Sequence, residues 1–305
     1  MSFWLPLEHY GKTQVRREIA EYCKNRWVAI HCEETGEDGV RVMIRYRKGK
    51  PLVISSESEV TELINTYMKH KPRAFYATAH IYSRLETRED LLDRSNIVYS
   101  SPVWDIDSKD GDWRKVVEKA QEIVRLLESF KIFKSVFIKW SGRGAHVHIN
   151  PFCFSSDVRK RIEPIDIAYS VTVFIANRLM PLEGLVVESR IDIQRVFTSP
   201  LSLHRTLNRV AVCLPPEKLE DFEISWTDPK SYVHFSDSWR RFSEGEGDEL
   251  AERAFASIGP YVAGKQRRRK HRPLDVEILK TIEKLNRNAR EDIASDSNRL
   301  ENYEL

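Results

Sequence analysis

Cysteine is too scarce and too scattered to organise this chain. Cys23, Cys32, Cys153 and Cys213 form no Cys-x-x-Cys pair, which argues against a structural zinc site and supplies no disulfide framework. Long apolar runs are missing too. No stretch approaches the ~20 apolar residues that a membrane helix needs. The opening MSFWLPLEHYGK lacks a basic region followed by an apolar core, so no secretory signal is read there. The expectation is an intracellular, cytoplasmic chain with no membrane partner. No internal repeat is visible, and no Ser–His–acid triad suggests a side-chain nucleophile.

What is present is an ordinary globular composition over 305 residues, enough for one or two domains. The net charge of +3 is unevenly placed, because the run 265–272 alone holds six Lys and Arg residues. Outside that run the chain is slightly acidic. A dense basic segment is either a solvated linker or a phosphate-binding patch. The expected organisation is a catalytic core over 1–262, a basic linker over 263–273, and a C-terminal helix and tail over 274–305. Arg267, Arg268, Arg269 and Lys270 are the candidates for contact with nucleic-acid phosphates.

Apolar periodicity predicts helices over 13–24, 58–68, 113–130, 156–180 and 274–290, and strands over 26–32, 39–46, 74–82, 96–107, 135–140, 145–150, 191–197 and 209–214. Ser156 is a candidate N-cap. The region 215–250 is polar, rich in aromatics and gives no clear period. The strand–helix–strand order from 97 to 140 predicts a split βαβ unit, and the mixture as a whole predicts an α+β fold.

Three segments carry chemistry. In Val103-Trp104-Asp105-Ile106-Asp107, residues two apart share a face of a strand, so Asp105 and Asp107 leave one side about 6–7 Å apart. Two carboxylates held together repel, and a divalent cation with hard oxygen ligands relieves that repulsion; the alternative is a strand ending in solvated acids. In Trp140-Ser141-Gly142-Arg143-Gly144-Ala145-His146-Val147-His148, two glycines, a hydroxyl, a guanidinium and an imidazole suit a triphosphate; the alternative is a hairpin turn with a charged tip. In Arg190-Ile191-Asp192-Ile193-Gln194, Asp192 would share a polar strand face with Arg190 and Gln194. Ser199-Pro200 then marks a turn before His204.

Together, Asp-Ile-Asp, then Ser-Gly-Arg-Gly-Ala-His, then Ile-Asp followed by Ser-Pro-Leu-Ser-Leu-His resemble the archaeo-eukaryotic primase superfamily, and most of all the small catalytic subunit of primase. Upstream, 25–30, 42–46 and the tyrosine-containing 74–82 are similar to that subunit's early strands, so the resemblance covers roughly 10–215. It implies an α/β unit joined to an RRM-like sheet, with a C-terminal helical segment following here. It implies that Asp105, Asp107 and Asp192 bind two catalytic Mg²⁺ or Mn²⁺ ions. Ser141, Arg143, His146, His204 and Arg26 would bind an incoming NTP or dNTP. The family's zinc-binding insertion has no counterpart, so no zinc is expected. Thr198 stands where the family has a basic residue, with Arg195 three positions earlier.

The implied activity is template-dependent nucleotidyl transfer on DNA, making primers or extending strands. Two alternatives stand beside it: an end-joining-type repair polymerase of the same superfamily, and a non-catalytic RRM-like nucleic-acid-binding subunit. RNA-binding sheets of that last kind carry exposed aromatics on central strands, whereas these strands carry Asp and His. A large primase subunit or other replication and repair proteins are the expected protein partners.

Overall fold

The computed structural model describes residues 4–36 and 39–262. The described residues up to Tyr261 form one compact unit. The expected basic linker, with Arg267, Arg268, Arg269 and Lys270, and the expected helix over 274–290 lie outside the described residues.

Helix Trp113–Ser129 repeats apolar residues at three and four, and Val116, Ala120, Ile123, Val124 and Leu127 are buried. Asp112 caps it by accepting from the Arg114 backbone N–H. The stripe packs on strands Val103–Ser108 and Ala145–Ile149. Those two strands pair antiparallel, and Ala145–Ile149 pairs on its other side with Val136–Trp140. The strands before and after the helix are thus parallel, with a third strand between them, which is the expected split βαβ unit.

Leu185–Glu188 and Val212–Leu214 complete this five-stranded antiparallel sheet. Trp104, Ile106, Trp140 and Val147 are fully buried in it. The Trp104 indole N–H donates 3.0 Å to the Thr172 carbonyl, tying the sheet to helix Pro164–Ala176.

A second sheet has four strands: Val196–Thr198, Pro72–Thr78, Val28–Thr35 and Arg41–Ile44, in that spatial order. All its pairings are antiparallel, and helix Thr13–Cys23 follows the expected 13–24 segment. The whole is an α+β fold.

Three expectations need correction. The helix over 156–180 is two helices, Ser156–Arg161 and Pro164–Ala176. Pro164 lacks an N–H and pushes Glu163 out of the helical region, to φ −58° and ψ 142°. The cap of the first helix is Ser155, whose hydroxyl accepts from the Val158 N–H.

The strand over 191–197 shrinks to Val196–Thr198. Asp192 Oδ1 accepts from the Gln194 N–H at 2.9 Å and the Asp192 carbonyl from the Arg195 N–H at 3.0 Å. Such local bonds offer the backbone an alternative to a ladder.

The aromatic region 215–250 is fixed by a buried acid on a distant helix. Glu18 accepts from His234 Nε2 at 2.8 Å, from the Trp239 indole and from Arg240 Nη2 at 2.8 Å. No local period could reveal that pattern. The following helix, Asp248–Ile258, was not expected.

Candidate active site

Asp105 and Asp107 leave one face of Val103–Ser108, while Trp104 and Ile106 fill the core on the other. His146 and Glu188 stand opposite Asp105 on the two flanking strands. His146 Nε2 lies 3.2 Å from Asp105 Oδ1 and Arg195 Nη2 lies 3.1 Å from Asp105 Oδ2. Arg195 also pairs with Glu188. Burial works against ionisation of Asp105, but His146 and Arg195 outweigh it and hold the carboxyl below its usual range. Asp107 is pushed the other way, by burial and by the charge of Asp105. It has no salt-bridge partner among the described residues.

The resemblance called for a divalent cation, and the donor set fits one in part. The oxygens are hard, and the repulsion borne by Asp107 is what a bound cation would relieve. Among the described residues no three His, Cys, Asp or Glu side chains form a ready metal cluster.

Asp192 is not among the residues that line the cavity holding Asp105 and Asp107. Its carboxylate bonds Gln194 and lies 3.5 Å from Arg190, and its carbonyl receives His80 Nε2 at 2.9 Å. Glu188 is the acid that stands beside the pair. Its place at the end of the apolar run Leu185-Val186-Val187 could have signalled it.

The turn Ser141–Gly144 closes with Ser141 N–H donating 3.0 Å to the Gly144 carbonyl. Gly142 adopts φ +136°, and a Cβ there would sit 2.4 Å from the His204 ring. The Gly142 carbonyl accepts from Trp140 Nε1 at 3.1 Å and Arg209 Nη1 at 2.7 Å. Ser141 Oγ lies 3.2 Å from His146 Nε2. His204 Nδ1 accepts the N–H groups of Thr206 and Leu207 at 3.1 and 2.9 Å, so its proton resides on Nε2. Burial, with Arg205 and other nearby arginines, lowers the His204 pKa to about 4. At neutral pH it is an uncharged N–H donor.

These residues line two adjoining cavities. One, of about 410 Å³, is cationic: Arg41, Arg143 and Arg205 stand around it with His31 and His204. The other, of about 340 Å³, is acidic: Asp105, Asp107 and Glu188 line it with Tyr76 and His146. His31, Asp107, Ser141, His204 and Arg205 line both. Arg143 and Arg205 make no hydrogen bond or ion pair through their guanidinium groups among the described residues, whereas Arg41 donates 2.7 Å to the Arg205 carbonyl.

Arg26 lines neither cavity. It is buried, donates 2.8 Å to the Thr78 carbonyl and lies over the Tyr22 ring. His31, Arg41, Arg205 and Tyr76 were not singled out from the sequence as pocket residues. Arg205 directly follows His204 and so was within reach; Arg41 arrives from another sheet and carried no local signal.

No family model matches this chain, and no curated protein matches it. Among solved structures it is similar to the polymerase domain from Mycobacterium tuberculosis Ligase D in complex with DNA. The TM-score is 0.50 at 16% identity, covering 84% of this chain and 88% of that chain. At that identity the likeness shows the fold alone, an α+β arrangement shared with that domain. Among the described residues no helix is long and apolar enough to cross a membrane.

Proposed function

We propose that this chain is a template-dependent nucleotidyltransferase acting on DNA with NTP or dNTP substrates. The observation that carries the reading is the contact between a cationic and an acidic cavity through His31, Asp107, Ser141, His204 and Arg205. That arrangement suits a triphosphate in the first cavity with its α-phosphate near the acids. Asp105 and Asp107, with Glu188 beside them, would hold Mg²⁺ or Mn²⁺. Such ions, when bound, activate a 3′-hydroxyl and offset charge on the phosphates.

Arg143, Arg205 and Arg41 bind the triphosphate oxygens, and His204 donates from Nε2. Charge that develops on the departing pyrophosphate meets donors already in place. His146 orients Asp105, and Ser141 holds His146. Tyr76 and Met43, beyond the acids, offer apolar surface for sugar and base. Asp192 is kept as a rival third carboxylate, on the resemblance alone.

The likeness to a Ligase D polymerase domain favours strand extension of the end-joining type over primer initiation. The motif resemblance favours the primase branch. The deciding assay offers single-stranded template with and without an annealed primer, each nucleotide class, and Mg²⁺ or Mn²⁺. Products without primer support initiation; products only with primer support the extension reading. No product under any combination sinks nucleotidyl transfer and leaves a binding module.

A further inference from the structure

Arg195 places one cation between two acids of the acidic cavity. Its Nη2 lies 3.1 Å from Asp105 Oδ2 and also pairs with Glu188. Asp105 and Glu188 stand opposite each other on paired strands of the five-stranded sheet. Arg195 reaches them from the four-stranded sheet, immediately before Val196–Thr198. Asp107 lines the same cavity, yet it pairs with neither Arg195 nor any other cation among the described residues.

The backbone of Arg195 is pinned but its side chain is not. The Arg195 N–H donates 3.0 Å to the Asp192 carbonyl, and its own carbonyl accepts from the Ala79 N–H at 3.3 Å. The guanidinium carbon lies 5.3 Å from the centre of the Phe197 ring. Nε is buried without a hydrogen-bond partner among the described residues, which costs desolvation. A fully engaged guanidinium offers a carboxylate two parallel N–H groups, whereas here one nitrogen serves two carboxylates. The charge of Arg195 is therefore placed at the acids by a grip that a stronger cation can displace.

We propose that Arg195 is a resident counter-cation that competes with a divalent ion for Asp105 and Glu188, and so holds down the affinity of these acids for free Mg²⁺ or Mn²⁺. The proposal rests on the reading of Asp105 and Asp107 as cation ligands and adds to it the residue that sets how tightly they bind. Arg195 acts through the two carboxylates and is a positioning residue. Its guanidinium repels the incoming ion and occupies carboxylate oxygens that the ion would use. Against a doubly charged ion, repulsion at contact range exceeds about tenfold in affinity even with the screening of bulk water.

The test is Mn²⁺ titration of the full chain, without nucleotide or DNA, followed by the loss of free-ion paramagnetic signal. Arg195→Met removes the charge and keeps an unbranched apolar stem against Phe197; Arg195→Lys keeps the charge. Arg195→Met should bind Mn²⁺ at least about tenfold more tightly than wild type, and Arg195→Lys should stay within about threefold of it. Adding Asp107→Asn to the Arg195→Met chain should abolish the gain. Should Arg195→Met fail to fold, Arg195→Gln carries the same expectation. Equal or weaker Mn²⁺ binding by the uncharged variant overturns the proposal, as does a gain that Arg195→Lys shares or that survives Asp107→Asn. Asp107→Asn alone separates this proposal from the reading beneath it. If that change weakens Mn²⁺ binding while Arg195→Met changes nothing, the acids stand as an ion site and only the role of Arg195 falls. If neither change moves Mn²⁺ binding, the ion site falls as well.

Discussion

Gly144 and Asp107 are in closer contact than any side chain at position 144 would allow. A Cβ on Gly144 would come within 2.8 Å of Asp107 Oδ1 and 2.1 Å of the Ile106 carbonyl oxygen. The turn that carries Arg143 is therefore pressed against the strand that carries the acids. Gly144→Ala must move one of them. Overpacking of this kind costs about 1–3 kcal/mol, so a lower Tm is expected together with loss of synthesis. Wild-type Tm and activity in the variant would mean that the two segments can part without consequence.

The acids are separable by role. Asp107→Asn is expected to abolish synthesis and to weaken Mn²⁺ binding, followed by the loss of free-ion paramagnetic signal, while Tm stays the same or rises. It rises because the substitution removes a carboxylate whose ionisation burial and Asp105 oppose. Glu188→Gln should reduce Mn²⁺ affinity more than Asp192→Asn does, because Glu188 stands opposite Asp105 in the ladder. The reverse order would return Asp192 to the site.

Local pattern made the central βαβ unit legible, because Trp113–Ser129 and its flanking strands bury complementary stripes that lie within a few dozen residues of one another. The turn at 141–144 was readable for the same reason. Segments whose neighbours are distant were not. The Ile191–Arg195 stretch alternates like a strand, yet Asp192 bonds its own backbone neighbours and His80 from another sheet. Arg26 has the charge of a phosphate ligand, but it is buried over the Tyr22 ring, in the core. Exposure, which decides between those roles, is a tertiary property.

The cationic cavity predicts a distinctive kinetic signature. Arg143→Ala and Arg205→Ala each remove a guanidinium with no competing partner among the described residues. A charge-assisted contact is worth ~1.5–3 kcal/mol, so kcat/KM for the nucleotide should fall by more than about tenfold in each. His204→Gln, which keeps an N–H donor, should lose less than His204→Ala. Steady-state kinetics with varied nucleotide would show it; equal loss in both His204 variants would mean that the donor is not used.

The last expectation concerns acid. His80 is fully buried, its Nε2 2.9 Å from the Asp192 carbonyl and its Nδ1 2.8 Å from Ser100 Oγ. A carbonyl only accepts, so Nε2 carries the proton and Nδ1 accepts from the serine. Burial lowers the His80 pKa from 6.5 to about 4. The unfolded chain therefore takes up a proton below pH ~6.5, while the folded chain refuses it until about pH 4. The stability tied to neutral His80 is complete above pH 6.5, is lost as pH falls toward 4 and does not fall further below that. His9, lowered to about 4 by burial, acts in the same window. Near pH 5, each such group steepens the loss by about 1.4 kcal/mol per pH unit. Urea unfolding of wild type and His80→Gln at pH 7 and pH 5 measures that slope directly. The variant is less stable at pH 7 but should lose less between the two pH values. An equal loss in both proteins would mean that His80 is protonated in the folded state, and that its bond to the Asp192 turn is made by a charged ring.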